Sequence, residues 1–201
     1  AGAMVSCSTE DTAPSTQNDK VAVQFTGGIS VNTRAAGVAW ADGDKIGIFM
    51  TGANQSLSAD AIKEGVDNVC YQYSYYPHTT VSDYKVALDV TNQTKQEAID
   101  FMYAKTEGCN KATPQVDLKF FHKLSNLILD VQPGNGLTQE DLKKMTVTVK
   151  GQNTKATFNL ADGTISGEEN PADITMKTTE AGKLYEAILL PTEEESRVIE
   201  F

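Results

Sequence analysis

Apolar residues recur at every second position in short segments along this chain, and Gly, Pro, Asn, Asp or Ser separates one segment from the next. A period of two puts one set of side chains on one face of a strand, whereas a helix needs a period near 3.6. Val21, Val23 and Phe25 alternate with Ala22, Gln24 and Thr26. Ile46, Ile48 and Met50 form a second such segment, Tyr71, Tyr73 and Tyr75 a third, Val86, Leu88 and Val90 a fourth, and Val116, Leu118 and Phe120 a fifth. Each is too short for an amphipathic helix, and β-branched and aromatic residues are enriched in them. Many short strands with turn residues between them predict an all-β sandwich.

Parity carries further information. In the segment that leads to Leu124 apolar residues sit mainly on even numbers, as at Val116, Leu118, Phe120 and Leu124, whereas Leu127, Leu129 and Val131 lie on odd numbers. Each residue step flips a side chain across the sheet, so a bulge or bend is expected near Ser125-Asn126. Residues 146–150 and 155–160 read as two strands, followed by a tight hairpin turn at Asp162-Gly163. Residues 172–178 and 184–190 complete the set. A helix is expected over Gln139–Met145, with Thr138 as cap and Asp141 closing a capping box. A second short helix is expected over Ala59–Glu64. Residues 94–104 fit either type: Ala98, Ile99 and Met102 suit a helix, Phe101 and Tyr103 a strand.

The chain has 201 residues, 40% hydrophobic and 22% charged, enough for one large or two small packed domains. Its net charge of −10, with 17 scattered basic residues, excludes phosphate tracking and disfavours anionic membrane surfaces. No apolar run reaches the roughly 18 residues of a membrane-spanning helix. Residues 1–6 are small and apolar and precede Cys7, so they read as the remnant of a secretory signal. Met4-Val5-Ser6-Cys7 resembles a lipobox with Cys7 as the acylated residue; the bland alternative is a cloning scar beside an incidental Cys. Residues 8–19 hold no large apolar side chain, so 7–20 read as a lipidated Cys and flexible tether. The sandwich is assigned to 21–190. Residues 191–201 read as a linker and the start of a second, mostly missing β domain, since alternation runs up to Phe201.

Little in the chain suggests catalysis. Its two histidines, His78 and His122, lie in no metal or nucleophile motif, and no Gly-rich phosphate loop is present. His122 reads as a structural, hydrogen-bonded residue of a strand, and His78 as a loop residue. Asp42-Gly43-Asp44 lacks the further oxygen ligands of a calcium loop and reads as a turn. Glu193-Glu194-Glu195 reads as a solvated charge run. Tyr71, Tyr73 and Tyr75 pose a choice between a glycan-stacking platform and strand tyrosines with rings in the core. Cys70 and Cys109 are too far apart for a CxxC motif. They could form a disulfide in an exported protein, provided that the fold brings their Cα atoms together.

Six stretches in order resemble the fimbrillin family of Bacteroidales, the subunits of donor-strand pili. They are Thr33-Arg34-Ala35 with Trp40–Phe49, Tyr75-Tyr76-Pro77, Asp100–Ala104, Leu118–Ser125, Ala156–Gly163 and Ala187–Pro191. The resemblance implies a transthyretin-like Greek-key β-sandwich with one or two short helices. It implies a lipoprotein precursor anchored in the outer membrane through Cys7, then cut between Arg34 and Ala35 by a trypsin-like protease. The cut would release the first strand, carrying Val21, Val23 and Phe25. The vacated groove, worth roughly 1.5–3 kcal/mol per large apolar side chain, would accept a strand from another pilus subunit. Arg34 is otherwise an ordinary loop arginine. The resemblance implies no enzyme activity and no cofactor. Three alternatives stand beside it: a surface lipoprotein binding glycans through the tyrosines, an anchor or tip subunit that keeps its lipid, and an accessory domain of a hydrolase.

Overall fold

The computed structural model describes residues 24–29, 40, 44–52, 70–109, 113–192 and 197–201. Within them the strands are β1 (Gln24–Ile29), β2 (Gly47–Gly52), β3 (Cys70–Tyr76), β4 (Lys85–Asp89), β5 (Met102–Cys109), β6 (Gln115–His122), β7 (Ser125–Asp130), β8 (Thr148–Asn159), β9 (Thr164–Thr175), β10 (Lys177–Glu180), β11 (Leu184–Leu189) and β12 (Ile199–Glu200). One sheet runs β1-β6-β5-β3-β2, a second β10-β11-β7 and a third β12-β8-β4, with β9 along the other side of β8. All pairings are antiparallel except that of β1 with β6. The fold is an all-β sandwich.

The sheets join at two corners, where a strand leaves one sheet for another. The first follows β6. His122 ends it, Lys123 and Leu124 bend, and β7 begins at Ser125. This is the expected parity change, centred two residues before Ser125-Asn126. The second follows β9, where Met176 separates it from β10 and donates its N–H to Val147 O at 2.9 Å. The expected strand over 172–178 is therefore two half-strands in different sheets.

The main core lies between these sheets. Val86, Leu88, Val149, Phe158, Leu160 and Ile174 contribute from the β8 sheet, and Tyr185, Ala187, Ile188 and Leu189 from β11. Tyr73, Tyr75, Phe101 and Tyr103 join them from β3 and β5 and the approach to β5. Phe158 is fully buried, with the Phe101 ring 4.7 Å and the Tyr103 ring 5.0 Å away. Deleting so central an aromatic ring costs about 3–5 kcal/mol.

Local signals explain the turns. Thr138 and Asp141 close the expected capping box, but α1 spans only Gln139–Leu142. Leu142 is its buried anchor. The turn after β8 places Gly163 at φ 77°, a left-handed value that suits glycine. The two strands expected at 146–150 and 155–160 are one strand, β8. A register shift between Val149 and Gln152, with Gly151 at φ 62°, absorbs the irregularity that reads as a break. The segment 94–104 contains both types. A 3-10 helix covers Gln93–Ala98, capped by Asn92 Oδ1 accepting from Thr94 N–H, and β5 starts at Met102. The helix expected at Ala59–Glu64 lies outside the described residues.

Candidate functional site

The five-stranded sheet carries a second, smaller apolar cluster on the face turned away from Tyr73, Tyr75 and Tyr103. Val116, Leu118 and Phe120 of β6 and Met102 and Ala104 of β5 are buried there. Ile29, Trp40, Ile46 and Tyr76 are half-buried against them. The Trp40 ring meets Phe120 edge-on at 5.1 Å and Tyr76 edge-on at 5.5 Å. Such T-shaped pairs satisfy the ring quadrupoles. Tyr76 donates its hydroxyl to Asp44 Oδ1 at 2.9 Å. Burial first, then this carboxylate, push the Tyr76 pKa up to about 12.

β1 borders this cluster at the sheet edge. It runs parallel to β6, from Gln24 opposite Gln115 to Ile29 opposite Phe120. Gln24 N–H donates to Pro114 O at 3.1 Å, and the Thr26 hydroxyl to Asp117 Oδ1 at 3.1 Å. Every residue of β1 except Ile29 is exposed. Phe25 retains 37% of its surface in solvent. Gly27 and Gly28 supply no side chain, and parallel pairing is slightly weaker per residue. β1 is thus held by backbone hydrogen bonds, by the Thr26 hydroxyl and by one apolar residue at its end.

This differs from the expected strand. Within the described residues the strand runs from Gln24 to Ile29, and Ile29 rather than Phe25 packs on the cluster. Parity is nevertheless kept, since Phe25 and Ile29 share a strand face. Val21 and Val23 lie outside the described residues. So do Cys7, the tether, Arg34 and Ala35, Asp42-Gly43 and Glu193–Glu195. Tyr73 and Tyr75 are 9% and 2% exposed. Their rings form part of the main core, which removes them as an open stacking platform. Only the backbone of Tyr71 is described. His122 is structural as expected, its Nδ1–H donating to Asp100 Oδ1 at 2.9 Å.

Two residues that matter here carry weak sequence signals. Trp40, the lone tryptophan, knits Phe120 to Tyr76, yet no periodicity marks it. Gln93 is buried and acts as a surrogate strand partner. Its Nε2 donates to Val90 O at 2.7 Å and Ile188 O at 2.8 Å, while Oε1 accepts from Ile188 N–H at 2.8 Å. An amide side chain at the start of a short 3-10 helix gives no sign of such a role in sequence. Among the described residues no group of three or more His, Cys, Asp or Glu is placed to hold a metal ion.

Comparison with known proteins places this architecture. The family model described as fimbrillin-like matches residues 33–201. A Bacteroides uniformis protein named "Putative fimbrium subunit Fim1C" is 34% identical over 213 residues, covering 90% of this chain and 68% of the relative. A crystal structure titled as a "putative cell adhesion protein" from the same species superposes with a TM-score of 0.72 at 29% identity, covering 90% of this chain and 80% of that one. Another of that description, from Bacteroides ovatus, shares the fold with a TM-score of 0.62 at 22% identity, over 89% and 81% of the two chains. With a family model matched over most of its length and a relative this similar, the chain belongs to the fimbrillin-like family, whose members are structural rather than catalytic.

Proposed function

We propose that this chain is a structural or adhesive subunit of a cell-surface fimbria that polymerises by exchanging its first strand. It is exported as a lipoprotein precursor, acylated on Cys7 and held at the outer membrane. A trypsin-like protease cuts between Arg34 and Ala35. The cut frees everything N-terminal to it, including β1. A strand from a neighbouring subunit then takes the place of β1.

The observation that carries this reading is β1 itself. It precedes Arg34 in the chain, it sits at the end of the five-stranded sheet, and it is the one parallel strand among the described pairings. Its removal would leave the β6 edge from Gln115 to Phe120 without partners and open the side of the cluster that Ile29 covers. An unpaired edge beside an apolar groove is what strand addition requires. Head-to-tail repetition of that contact gives an open filament. The long edge strand β9 is built the opposite way. Glu168, Glu169, Asn170 at φ 59° and Pro171 interrupt it, and these features discourage a further strand. β9 is thereby a poor template for strand addition, unlike the β6 edge.

Limited trypsin digestion of the full precursor, with N-terminal sequencing and electron microscopy, tests this. A single early cut that leaves Ala35 as the new N-terminus, followed by fibres, is the expected result, and Arg34→Ala should abolish both. A precursor that resists the cut and stays monomeric would instead be an anchored or tip subunit.

A further inference from the structure

The register of β3 against β5 sets Cys70 directly opposite Cys109. The other six pairs of this ladder, from Tyr71 with Glu107 to Tyr76 with Met102, follow one register, and a shift between Cys70 and Tyr71 leaves Gly108 as the extra residue. In the regular register Gly108 would face Cys70; the bulge brings Cys109 there instead. Glycine is a common bulge residue because it tolerates the unusual backbone. Directly opposed residues of an antiparallel pair have Cα atoms about 4.5–5.5 Å apart, inside the 4.4–6.8 Å range of disulfides.

We infer that Cys70 and Cys109 form a cross-strand disulfide in the exported protein. The oxidising setting rests on the cell-surface reading above; the juxtaposition does not. Formation is a thiol–disulfide exchange. The thiolate of one cysteine attacks a protein disulfide of the cell envelope, and the second displaces the mixed disulfide. One S–S bond forms in this chain and one breaks in the oxidant. The oxidant leaves as a dithiol with the two electrons and two protons that the cysteines lose. The bond pins the far ends of β3 and β5, where the ladder stops. It lies in the same sheet as the β6 edge, so it keeps the frame of that edge intact when β1 leaves.

The test is non-reducing peptide mapping of protein purified from the cell envelope, with alkylation before and after reduction. The expected result is one linked peptide pair carrying Cys70 and Cys109, unreactive to maleimide until reduced, with two hydrogens gained on reduction. Cys70→Ser should leave Cys109 freely alkylated, and Cys109→Ser should do the same for Cys70. The double serine variant should melt about 5–10 °C lower than the oxidised protein. Cys70 and Cys109 both free in protein taken from the envelope, or either one linked to Cys7 or to another chain, would overturn the assignment. Fibre assembly of the same preparation reports on the pilus reading separately.

Discussion

The Tyr75 ring lies directly over Gly47. The two residues face each other across β2 and β3, and a Cβ added at Gly47 would overlap Cε1 and Cζ of the ring. The Tyr75 hydroxyl reaches past it to donate to Thr79 O at 2.7 Å. Glycine here makes room for an aromatic core residue on the neighbouring strand, and the ring in turn covers the bare backbone.

Gly47→Ala is expected to destabilise the fold by about 1–3 kcal/mol, since the ring must move off its rotamer. Tyr75→Ala should cost about 3–5 kcal/mol, and Tyr75→Phe about 0.5–1.5 kcal/mol for the lost hydrogen bond. The double variant Gly47→Ala/Tyr75→Ala should cost less than the sum of the singles, because the overlap disappears with the ring. Urea titrations of the four variants check this, and strict additivity would show that the pair is not coupled.

Gln93→Leu keeps the volume but leaves the Ile188 N–H and C=O buried without their partners. At about 1–3 kcal/mol per orphaned group, a loss of about 2–5 kcal/mol is expected. Faster hydrogen exchange at the Ile188 amide should accompany it. Unchanged exchange there would mean that another group or water replaces the amide.

Ile29 is the half-buried apolar residue that holds β1 on the cluster. Ile29→Asn should leave the body of the sandwich folded, with a melting temperature close to that of the parent. It should speed the departure of the N-terminal fragment once the chain is cut after Arg34. Native gels or size exclusion after timed proteolysis measure retention. Equal retention of the parent and variant fragments would show that Ile29 does not hold β1 and that its hydrogen bonds suffice.

Stability should decline on both sides of neutrality. Thr138 depresses the pKa of Asp141, Thr164 that of Asp162, and Lys150 that of Asp173, all below 3.8. A folded pKa below the unfolded one means that the unfolded chain binds more protons. Stability from these groups is therefore present above 3.8 and is lost as pH falls through the depressed values. On the alkaline side burial raises the pKa values of Tyr75, Tyr76 and Tyr103, and Asp173 and Glu200 raise that of Lys150. Their contribution is present below about pH 10 and is lost above it, as pH climbs through about 12 for Tyr76. Melting temperatures from pH 2 to 12 should trace a plateau with two falling limbs. Asp141→Asn should flatten part of the acid limb.

Much of this fold is legible in the residues themselves. Alternation in Val86–Val90 and Val116–Phe120 is a local property, because a strand buried on one face must repeat every two residues. The capping box at Thr138 and Asp141 and the glycine turn at Gly163 are local too. The change of parity after Leu124 marks a bulge or a bend because each residue step flips a side chain across the sheet, and the structure makes it a sheet corner. Local pattern fails where a residue serves a distant partner. Gln93 completes the backbone of Ile188, 95 positions along the chain, and Gly47 exists for Tyr75.

The sequence by itself determined the strands, most turns, the lack of a catalytic constellation and the likeness to a pilus-subunit family. The tertiary structure decided three further things. It put β1 parallel on β6 and made Ile29 its anchor. It turned Tyr73 and Tyr75 into core, and so out of reach of a sugar. It also set Cys70 opposite Cys109 in the β3–β5 register. Each of these depends on sheet order and register, which are set by long-range packing and a single bulge, and neither leaves a trace in the spacing of residues along the chain.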